Sequence, residues 1–226
     1  MEGPRFPERQ SLPGSVERNT DPIVEAVLPK LGELEGKIRV LELASGKGHH
    51  VAALAAHAPQ ATFQPTEADE WLCGRIAERT EDLPNVLKPV VLDLTDSHNW
   101  DRLRETNDHI DGPCFNAVLA FNLLHIAESE VTLSIFEQAS RTRHPELLSK
   151  DGFIAFYGAF KEYEDEPLSE GNLKFDRDLR ARNPAFGIRS IEIVSRVAKE
   201  HGYELAERIG MPANNWILVY RSQHQT

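Results

Sequence analysis

Hydrophobic positions along the chain follow two different periods from residue 38 onward. Short apolar runs of strand length alternate with segments in which apolar residues recur every three or four positions, as on one face of a helix. The runs predict strands at residues 38–44, 61–65, 86–94, 114–124 and 152–160, with helices between them. This alternation predicts an α/β fold, a parallel sheet with helices on both faces.

The C-terminal part of the chain departs from this alternation. A helix is predicted at residues 190–202, and two strands follow it, YELAERIGM and NNWILVYRS, which meet near Pro212. So short a link allows only an antiparallel hairpin, because a parallel return needs about a dozen residues or more. The sequence therefore predicts a seven-stranded, mostly parallel sheet with a C-terminal antiparallel hairpin.

The predicted elements fit a single domain over residues 1–226. Residues 1–17 are rich in proline, glycine and charge and predict an arm or lid rather than part of the core. Asp21 and Pro22 predict a helix start, since an N-cap acceptor precedes a proline at the first helical position. Residues 161–189 interrupt the pattern with mixed charges, and we expect a polar insert that covers the substrate site.

The charge balance argues against two classes of binding partner. The chain has 25 Lys and Arg against 36 Asp and Glu, a formal net charge of −11. Binding to nucleic-acid phosphates or to an anionic membrane needs clustered Lys and Arg, so we expect neither partner. No apolar run approaches the length of a membrane-spanning helix, and the first residues contain no apolar signal segment. The sequence carries no signal for an oligomeric state.

Cysteine and histidine give no metal signature. Cys73 and Cys114 lie far apart, which suits neither a disulfide framework nor a zinc site. A cytoplasmic location is expected, with the nucleus not excluded. His49 and His50 are adjacent and would diverge on a helix, and neither an H-E-x-x-H nor a C-x-x-C motif occurs, so no metal site is predicted.

The stretch LELASGKGHH, residues 41–50, is the most informative in the chain. Gly46 and Gly48 predict a tight turn between a strand and a helix, where a ligand can approach the backbone. A dinucleotide-binding G-x-G-x-x-G motif would need a third glycine, and Val51 stands there instead. Glu42 would repel a pyrophosphate but would favour S-adenosylmethionine, which carries an ammonium and a sulfonium and no phosphate.

Two more carboxylates end the next predicted strands. Glu67 is placed to accept hydrogen bonds from both hydroxyls of a ribose. Asp93 is placed to accept from an adenine amino group, while the backbone N–H of Leu94 donates to the ring. The carboxyl ends of parallel strands form the crevice in which open α/β sheets bind ligands. Each carboxylate taken alone is explained equally well as the cap of the following helix or loop.

A series of motifs then indicates a family. In order they are ERNTDPI, LELASGKGHH, FQPTEAD, LDLTD with Trp100, AFNLLHI, FYGAF, EGNLKFDRDLRARNPAFGIRS and MPANN, which together span about residues 16 to 221. In these motifs the chain resembles the methyltransferase-like protein 26 family, a domain-of-unknown-function family with a Rossmann-like class I methyltransferase fold. The loop departs from the usual family pattern, with Lys47 where threonine is common and His49 where glutamine is common.

The resemblance implies an S-adenosylmethionine cofactor and a set of contacts to it. The implied cofactor contacts are Glu42, Gly46, Gly48, Glu67 and Asp93, and Asn122 and His125 are implied to face the cofactor or the substrate. The resemblance does not identify the methyl acceptor.

The remaining candidates concern the substrate. His125 follows the fourth strand and titrates near neutrality, so it is the candidate general base, although a histidine satisfied by a backbone carbonyl would look the same. Tyr157 is placed to bound the substrate pocket, or to pack in the core. Arg18 and Asn19 are placed to close over the cofactor's carboxylate on the substrate side, or to begin a solvated helix.

The insert contributes candidates of its own. Glu170 and Asn172 offer polar groups that a lid would bring over a substrate. Asp176 and Arg180 are four residues apart, so on a helix they would pair with each other.

The sequence leaves three functions open. The first is a methyltransferase for a small-molecule O, N or S nucleophile. The second is an enzyme that retains the cofactor but catalyses a cyclisation, isomerisation or elimination, using the sulfonium as a fixed charge. The third is a non-catalytic adaptor with no cofactor affinity.

Overall fold

The computed structural model describes residues 3–9, 14–107, 112–142 and 144–223. The helices are α1 (Ser15–Gly32), α2 (His49–His57), α3 (Glu70–Arg79), α4 (Ser97–Glu105), α5 (Ser129–Ser140), α6 (Glu170–Arg182) and α7 (Ile191–Glu200). The strands are β1 (Ile38–Leu43), β2 (Ala61–Glu67), β3 (Val90–Val91), β4 (Phe115–Phe121), β5 (Leu148–Lys161), β6 (Arg189–Ser190), β7 (Tyr203–Met211) and β8 (Asn215–Ser222). Short 3-10 turns lie at Pro7–Arg9, Leu124–Ile126 and Pro212–Asn214.

One sheet organises these elements. In the described part of the chain its strands run in the order β3-β2-β1-β4-β5-β8-β7. The first five of these strands pair in parallel, and β8 is antiparallel to both β5 and β7. This confirms the predicted α/β fold with its seven-stranded main sheet and antiparallel C-terminal hairpin. The two-residue β6, which pairs with the end of β5, was not predicted.

Helices cover both faces of the sheet because its central strands are apolar on both sides. Along β4, Val118 and Ala120 pack in one core cluster, whereas Ala117 and Leu119 pack in the other. Side chains of α4, α5 and α7 complete the first cluster, and those of α1 and α2 complete the second. A strand buried on both faces is typical of parallel sheets. Because β1 pairs in parallel with both β2 and β4, the carboxyl ends of these three strands meet at one edge of the sheet.

The start of α1 differs from its prediction. The helix begins at Ser15 rather than after Asp21, and both Pro22 and Pro29 lie inside it. Each proline removes one helical hydrogen bond. The helix nevertheless buries one face, including Ile23, and packing of such a face outweighs a local helix preference.

The insert is ordered around a helix that the sequence did not predict. Residues 170–182 form α6, and its Leu179 packs with Phe186 and Ile188 in a small third cluster. Asp176 accepts hydrogen bonds from Arg180 Nε and from the backbone N–H of Ile188, each at 2.7 Å. The predicted pairing of Asp176 with Arg180 is thus confirmed.

Candidate functional site

A cavity of about 600 Å³ opens at the carboxyl edge of the sheet. Residues at or just after the ends of successive strands line it, among them Ala44 after β1, Glu67 at the end of β2, Asp93 after β3 and Asn122 after β4. This is the predicted location for a ligand in an open α/β fold, and the volume lies within the usual range of small-molecule sites.

The loop between β1 and α2 forms one wall of the cavity. Ala44, Gly46 and Gly48 all have left-handed backbone conformations, with φ of 50°, 58° and 76°. A Cβ added to Gly46 would meet no protein atom within 4 Å, whereas one added to Gly48 would lie 3.2 Å from the Cα of Ile76. Gly48 is therefore required by the packing of α2 on α3, and Gly46 leaves its space to the cavity that it lines.

Glu67 fixes this loop. Its Oε2 accepts the backbone N–H of Gly46 at 2.9 Å, and its Oε1 accepts the N–H of Ala68 at 2.9 Å. Burial raises the pKa of the Glu67 carboxyl, and these two backbone donors act against that rise. Each carboxylate oxygen has a second lone pair, so Glu67 can accept further hydrogen bonds from a ligand in the cavity.

Glu42 lies buried beside the same loop and is not among the described residues that line the cavity. Its side chain is 1% exposed, and its Oε2 has no hydrogen-bond partner among the described residues. Burial raises the pKa of Glu42 to about 8, and the negative charge of Glu67 adds to the rise. A carboxyl in such surroundings is protonated at neutral pH unless a cation is placed near it.

The other three residues predicted to contact the cofactor all line the cavity. Asp93 and Leu94 line the cavity, and Asp93 Oδ1 accepts hydrogen bonds from the backbone and side chain of Thr95. Asn122 also lines it, with a left-handed φ of 57° and its N–H donated to the carbonyl of Tyr157 at 2.8 Å. Strained backbone of this kind is concentrated at ligand sites.

Residues 3–9 lie across the mouth of the cavity. Pro4, Arg5, Phe6 and Arg9 line it, and the backbone N–H of Arg5 donates to the carboxylate of Asp69, at the start of α3. The guanidinium carbons of Arg5 and Arg9 lie 4.9 and 4.6 Å from the centre of the Phe6 ring. The described part of the predicted arm is thus in a position to shield a ligand.

Asn19 and Tyr157 form a buried polar group at the edge of the sheet. Asn19 Oδ1 lies 3.1 Å from Nε2 of His50, and its side chain also hydrogen-bonds to Tyr157. Burial raises the pKa of the Tyr157 hydroxyl and lowers that of His50 to about 4. The cluster ties α1, α2 and β5 together. It does not line the cavity defined by the described residues, and neither does the exposed Arg18.

His125, the predicted general base, lies outside the described lining of the cavity. Its ring packs edge-on against Phe175 of the insert, with 5.2 Å between the ring centres. Burial lowers the pKa of His125 to about 4, and Arg189 and Arg182 lower it further. The turn after β4 directs this side chain beneath the insert, and the role of His125 as a general base stays a prediction.

Glu170 and Asn172 are also absent from the described lining of the main cavity. Glu170 is exposed at the start of α6, and Asn172 lines a second depression of about 260 Å³ between the insert and the β7–β8 turn. The insert follows β5 and packs over residues 124–127, so it does not bring these two side chains over the main cavity. Among the described residues, the lining of the main cavity includes Pro4, Arg5, Phe6 and Arg9 of the arm, and a covering role of the insert stays a prediction.

Some residues of the site were missed. Asp69, which caps α3 and holds the arm, and Trp71, Lys47 and His49 all line the cavity. Their position directly after a predicted strand, at the carboxyl edge, was the available signal. The contact between Arg5 and Asp69 joins segments far apart in sequence and had no signal in any local pattern.

Metal and membrane features are absent from the described ranges. No three His, Cys, Asp or Glu side chains in those ranges converge into a group that could hold a metal ion. No helix there combines the length and apolar character needed to cross a membrane. Cys73 and Cys114 are both free and buried.

Solved structures with this fold include several methyltransferases. An O-methyltransferase family protein from Burkholderia thailandensis matches with a TM-score of 0.66 at 15% identity, over 93% of this chain and 60% of that one. CalO1, a methyltransferase in calicheamicin biosynthesis in its SAH-bound form, matches with a TM-score of 0.63 at 12% identity, over 91% and 55%. The CurJ carbon methyltransferase matches with a TM-score of 0.62 at 17% identity, over 93% and 56%.

These similarities show a common fold. In each case the chain spans less than two thirds of the other protein's length. The family described as "Protein of unknown function (DUF938)" matches residues 10–222, nearly the whole chain. The chain therefore belongs to the DUF938 family.

Proposed function

We propose that the protein is an S-adenosylmethionine-dependent methyltransferase that acts on a small molecule through an O, N or S nucleophile. The observation that carries the proposal is the buried carboxyl of Glu42, whose Oε2 has no partner among the described residues. Ser45 hydrogen-bonds to this carboxyl but leaves one oxygen without a partner, and the charged form is unfavourable there unless a cation lies close by. A phosphate-bearing dinucleotide would add negative charge beside Glu42 and Glu67 instead.

The residues around the cavity fit this cofactor in chemistry and in place. Glu67 lies at the cavity, where its carboxylate can accept from a ribose hydroxyl, and Asp93 lies after the next strand, where it can accept from an adenine amino group. The backbone at Leu94 is placed to donate to the adenine ring, and Gly46 leaves the space that a Cβ would fill. The SAH-bound form of CalO1, which shares the fold, supports the same choice of cofactor.

When bound, S-adenosylmethionine supplies an electrophilic methyl group that an acceptor displaces in line. The chain has to hold the acceptor in place and exclude water. Asn122 is the polar side chain at the end of β4, and Phe6 of the arm closes the mouth. Because His125 is directed away, an acceptor proton would pass to a group that lines the cavity, and His49 is the histidine among the described lining residues.

The small-molecule acceptor is supported by the volume of the cavity, about 600 Å³, and by the net charge of −11, which does not favour nucleic acid. The resemblance to the methyltransferase-like protein 26 family belongs to the same proposal, and it rests on the motifs quoted above. A cytoplasmic location stays a prediction from cysteine usage.

One alternative shares the same site. An enzyme that retains the cofactor without transferring its methyl group would use Glu42, Glu67 and Asp93 in the same way. The absence of His125 from the described lining favours this alternative, since the base predicted from the sequence does not line the cavity. A non-catalytic adaptor would need neither the cavity nor the buried Glu42.

Product analysis tests the proposal. The protein is incubated with S-adenosylmethionine labelled on its methyl group and with fractions of a small-molecule extract, and the Glu67→Ala variant serves as control. Labelled product and S-adenosylhomocysteine formed in equal amounts would support methyl transfer. Consumption of a metabolite without label transfer would favour the alternative, and the absence of turnover in every fraction, with the cofactor bound, would contradict an enzymatic role.

A further inference from the structure

Two arginines of the arm lie at the mouth of the cavity beside one aromatic ring. Arg5 and Arg9 line the cavity, and their guanidinium carbons lie 4.9 and 4.6 Å from the centre of the Phe6 ring. The Nε of Arg9 is buried without a hydrogen-bond partner among the described residues, and Oε1 of Glu8 lies 3.9 Å from it. Within the described ranges the guanidinium of Arg5 contacts the ring and makes no ion pair. Two like charges are therefore held close together with little compensation from the acids of the chain.

The local structure of the arm fixes this arrangement. The backbone N–H of Arg9 donates to the carbonyl of Phe6 at 3.1 Å, which closes the 3-10 turn Pro7–Arg9 and returns the Arg9 side chain to the ring. The backbone N–H of Arg5 is held by the carboxylate of Asp69. A proline precedes Arg5 and another follows Phe6, and each restricts the backbone at its position. The two guanidinium groups are thus preorganised, and an anion that binds them loses little affinity to the ordering of the arm.

The acids that line the same cavity have other partners or lie apart from the arm. The two oxygens of Asp69 accept backbone N–H groups, and Glu67 and Asp93 accept hydrogen bonds from their own loops. The charge of Glu17 acts on the start of α2. Glu128 is exposed at the start of α5, which follows β4, and β4 is two strands away from β2, after which the arm is anchored. The positive charge of the arm is therefore open to a ligand.

A carboxylate or a phosphate group matches two guanidinium groups beside an apolar ring. Arginine binds such anions through charge-assisted hydrogen bonds that are often bidentate. In the proposed function the cofactor lies along the strand ends at Glu67 and Asp93, so the group that faces the arm belongs to the acceptor. Apolar side chains of the lining, among them Phe121 and Val131, suit the uncharged part of such a molecule.

Resting on the proposed function, we propose that the methyl acceptor is an anionic small molecule whose carboxylate or phosphate group is bound by Arg5 and Arg9. A net charge of −11 disfavours an anionic substrate over most of the protein surface. The two arginines supply local positive charge where the acceptor enters. The arm thereby selects the substrate, in addition to shielding a ligand.

The test separates candidate acceptors by their charge. A small-molecule extract is divided by ion exchange into acidic, neutral and basic fractions, and each is incubated with S-adenosylmethionine labelled on its methyl group. The label should be transferred in the acidic fraction. Prior treatment of that fraction with a phosphatase distinguishes the two anions, since it abolishes transfer to a phosphate monoester and leaves transfer to a carboxylic acid unchanged.

Arginine variants then locate the anion. With the acidic fraction diluted below saturation, Arg5→Gln and Arg9→Gln should each lower the rate of label transfer about tenfold, because each removes a charge-assisted hydrogen bond. The affinity for S-adenosylhomocysteine, measured by calorimetry, should stay within about twofold in both variants. Arg177→Gln is the matched control, since Arg177 is exposed on α6 outside the described lining of the cavity, and it should change neither quantity.

Other outcomes separate this inference from the proposed function. Label transfer confined to the neutral or basic fraction, unchanged transfer in both variants, or weakened S-adenosylhomocysteine binding in both would overturn the inference and leave the proposed function in place. If no fraction accepts label, or if the folded wild type binds neither S-adenosylmethionine nor S-adenosylhomocysteine, the proposed function fails and this inference fails with it.

Discussion

Glu67 Oε2 accepts the backbone N–H of Gly46 at 2.9 Å, so the end of β2 holds the loop that follows β1. The contact joins two motifs that the sequence named separately. Glu67 thus shapes the loop, and in the proposed function it also accepts a hydrogen bond from the ligand.

Replacing Glu67 should therefore abolish cofactor binding. Glu67→Ala removes the loop anchor and the ribose acceptor together, and we expect a loss of at least about 100-fold, or about 2.7 kcal/mol, in the affinity for S-adenosylhomocysteine measured by calorimetry. Glu70→Ala is the matched control, because Glu70 is exposed on the first turn of α3. Unchanged affinity in Glu67→Ala would contradict the placement of the ligand.

The two loop glycines should separate stability from binding. Gly46→Ala meets no protein atom and suffers only the left-handed backbone penalty of about 1–2 kcal/mol. Gly48→Ala has the same penalty and also drives a Cβ against Ile76, so its Tm should fall further. Gly46→Ala should stay folded and lose ligand affinity, because its methyl group points into the cavity. A larger Tm loss in Gly46→Ala than in Gly48→Ala would contradict this assignment.

The insert should depend on Gly187. Its φ is 146°, and an added Cβ would lie 2.6 Å from Nη2 of Arg180 and 2.9 Å from Oδ1 of Asp176. Gly187→Ala should therefore break the attachment of α6 and lower the free energy of unfolding by about 2 kcal/mol or more in urea titrations. Gly171→Ala on α6 is the control, since it meets nothing within 4 Å and should stabilise the helix by up to about 1 kcal/mol.

Glu42 should make stability depend on pH. Its pKa of about 8 in the folded protein lies above its ordinary value of 4.5, so between these values the folded state holds the additional proton. The stabilisation is full below pH 4.5 and is lost as the pH rises through 8. Glu42→Gln removes this loss, and thermal unfolding at pH 9 should show a higher Tm for the variant than for the wild type. An equal pH dependence in both proteins would count against an ionisable group at this position.

His125 should matter for stability and not for proton transfer. Its ring fills space between Phe175 and Gly158, and His125→Ala leaves a cavity there. We expect the free energy of unfolding to fall by about 2–4 kcal/mol, by analogy with other large-to-small core changes. The affinity for S-adenosylhomocysteine should stay within about threefold. A normal stability together with lost turnover would restore His125 as the base.

The local pattern of hydrophobic and polar residues was sufficient to predict the architecture of the sheet and the cavity-lining residues at the strand ends. Glu67, Asp93 and Asn122 lie on the cavity because the ends of parallel strands meet at one edge, whatever the rest of the chain does. The directions of side chains in turns and inserts were beyond such reasoning. His125 was assigned to the cavity because it follows β4, yet the 3-10 turn at Leu124–Ile126 rotates it beneath the insert.

Long-range contacts account for the other differences. Helix α1 begins earlier than Asp21 because its buried face, rather than its capping residues, determines its length. The arm reaches the cavity through the contact between Arg5 and Asp69, which no local spacing reveals. Glu42 was predicted to contact the cofactor because it precedes the loop. Its Oε2 has no hydrogen-bond partner because of how the core packs around it, and no local pattern shows this.

The most direct measurement is a titration of the wild-type protein with S-adenosylhomocysteine at pH 7.5, performed in two buffers with different ionisation enthalpies. S-adenosylhomocysteine keeps the ammonium, so its binding should ionise Glu42 and release a proton to the buffer. The account predicts micromolar affinity with the observed enthalpy differing between the buffers, and the loss of that difference in Glu42→Gln. A folded protein that binds neither S-adenosylhomocysteine nor S-adenosylmethionine would contradict it.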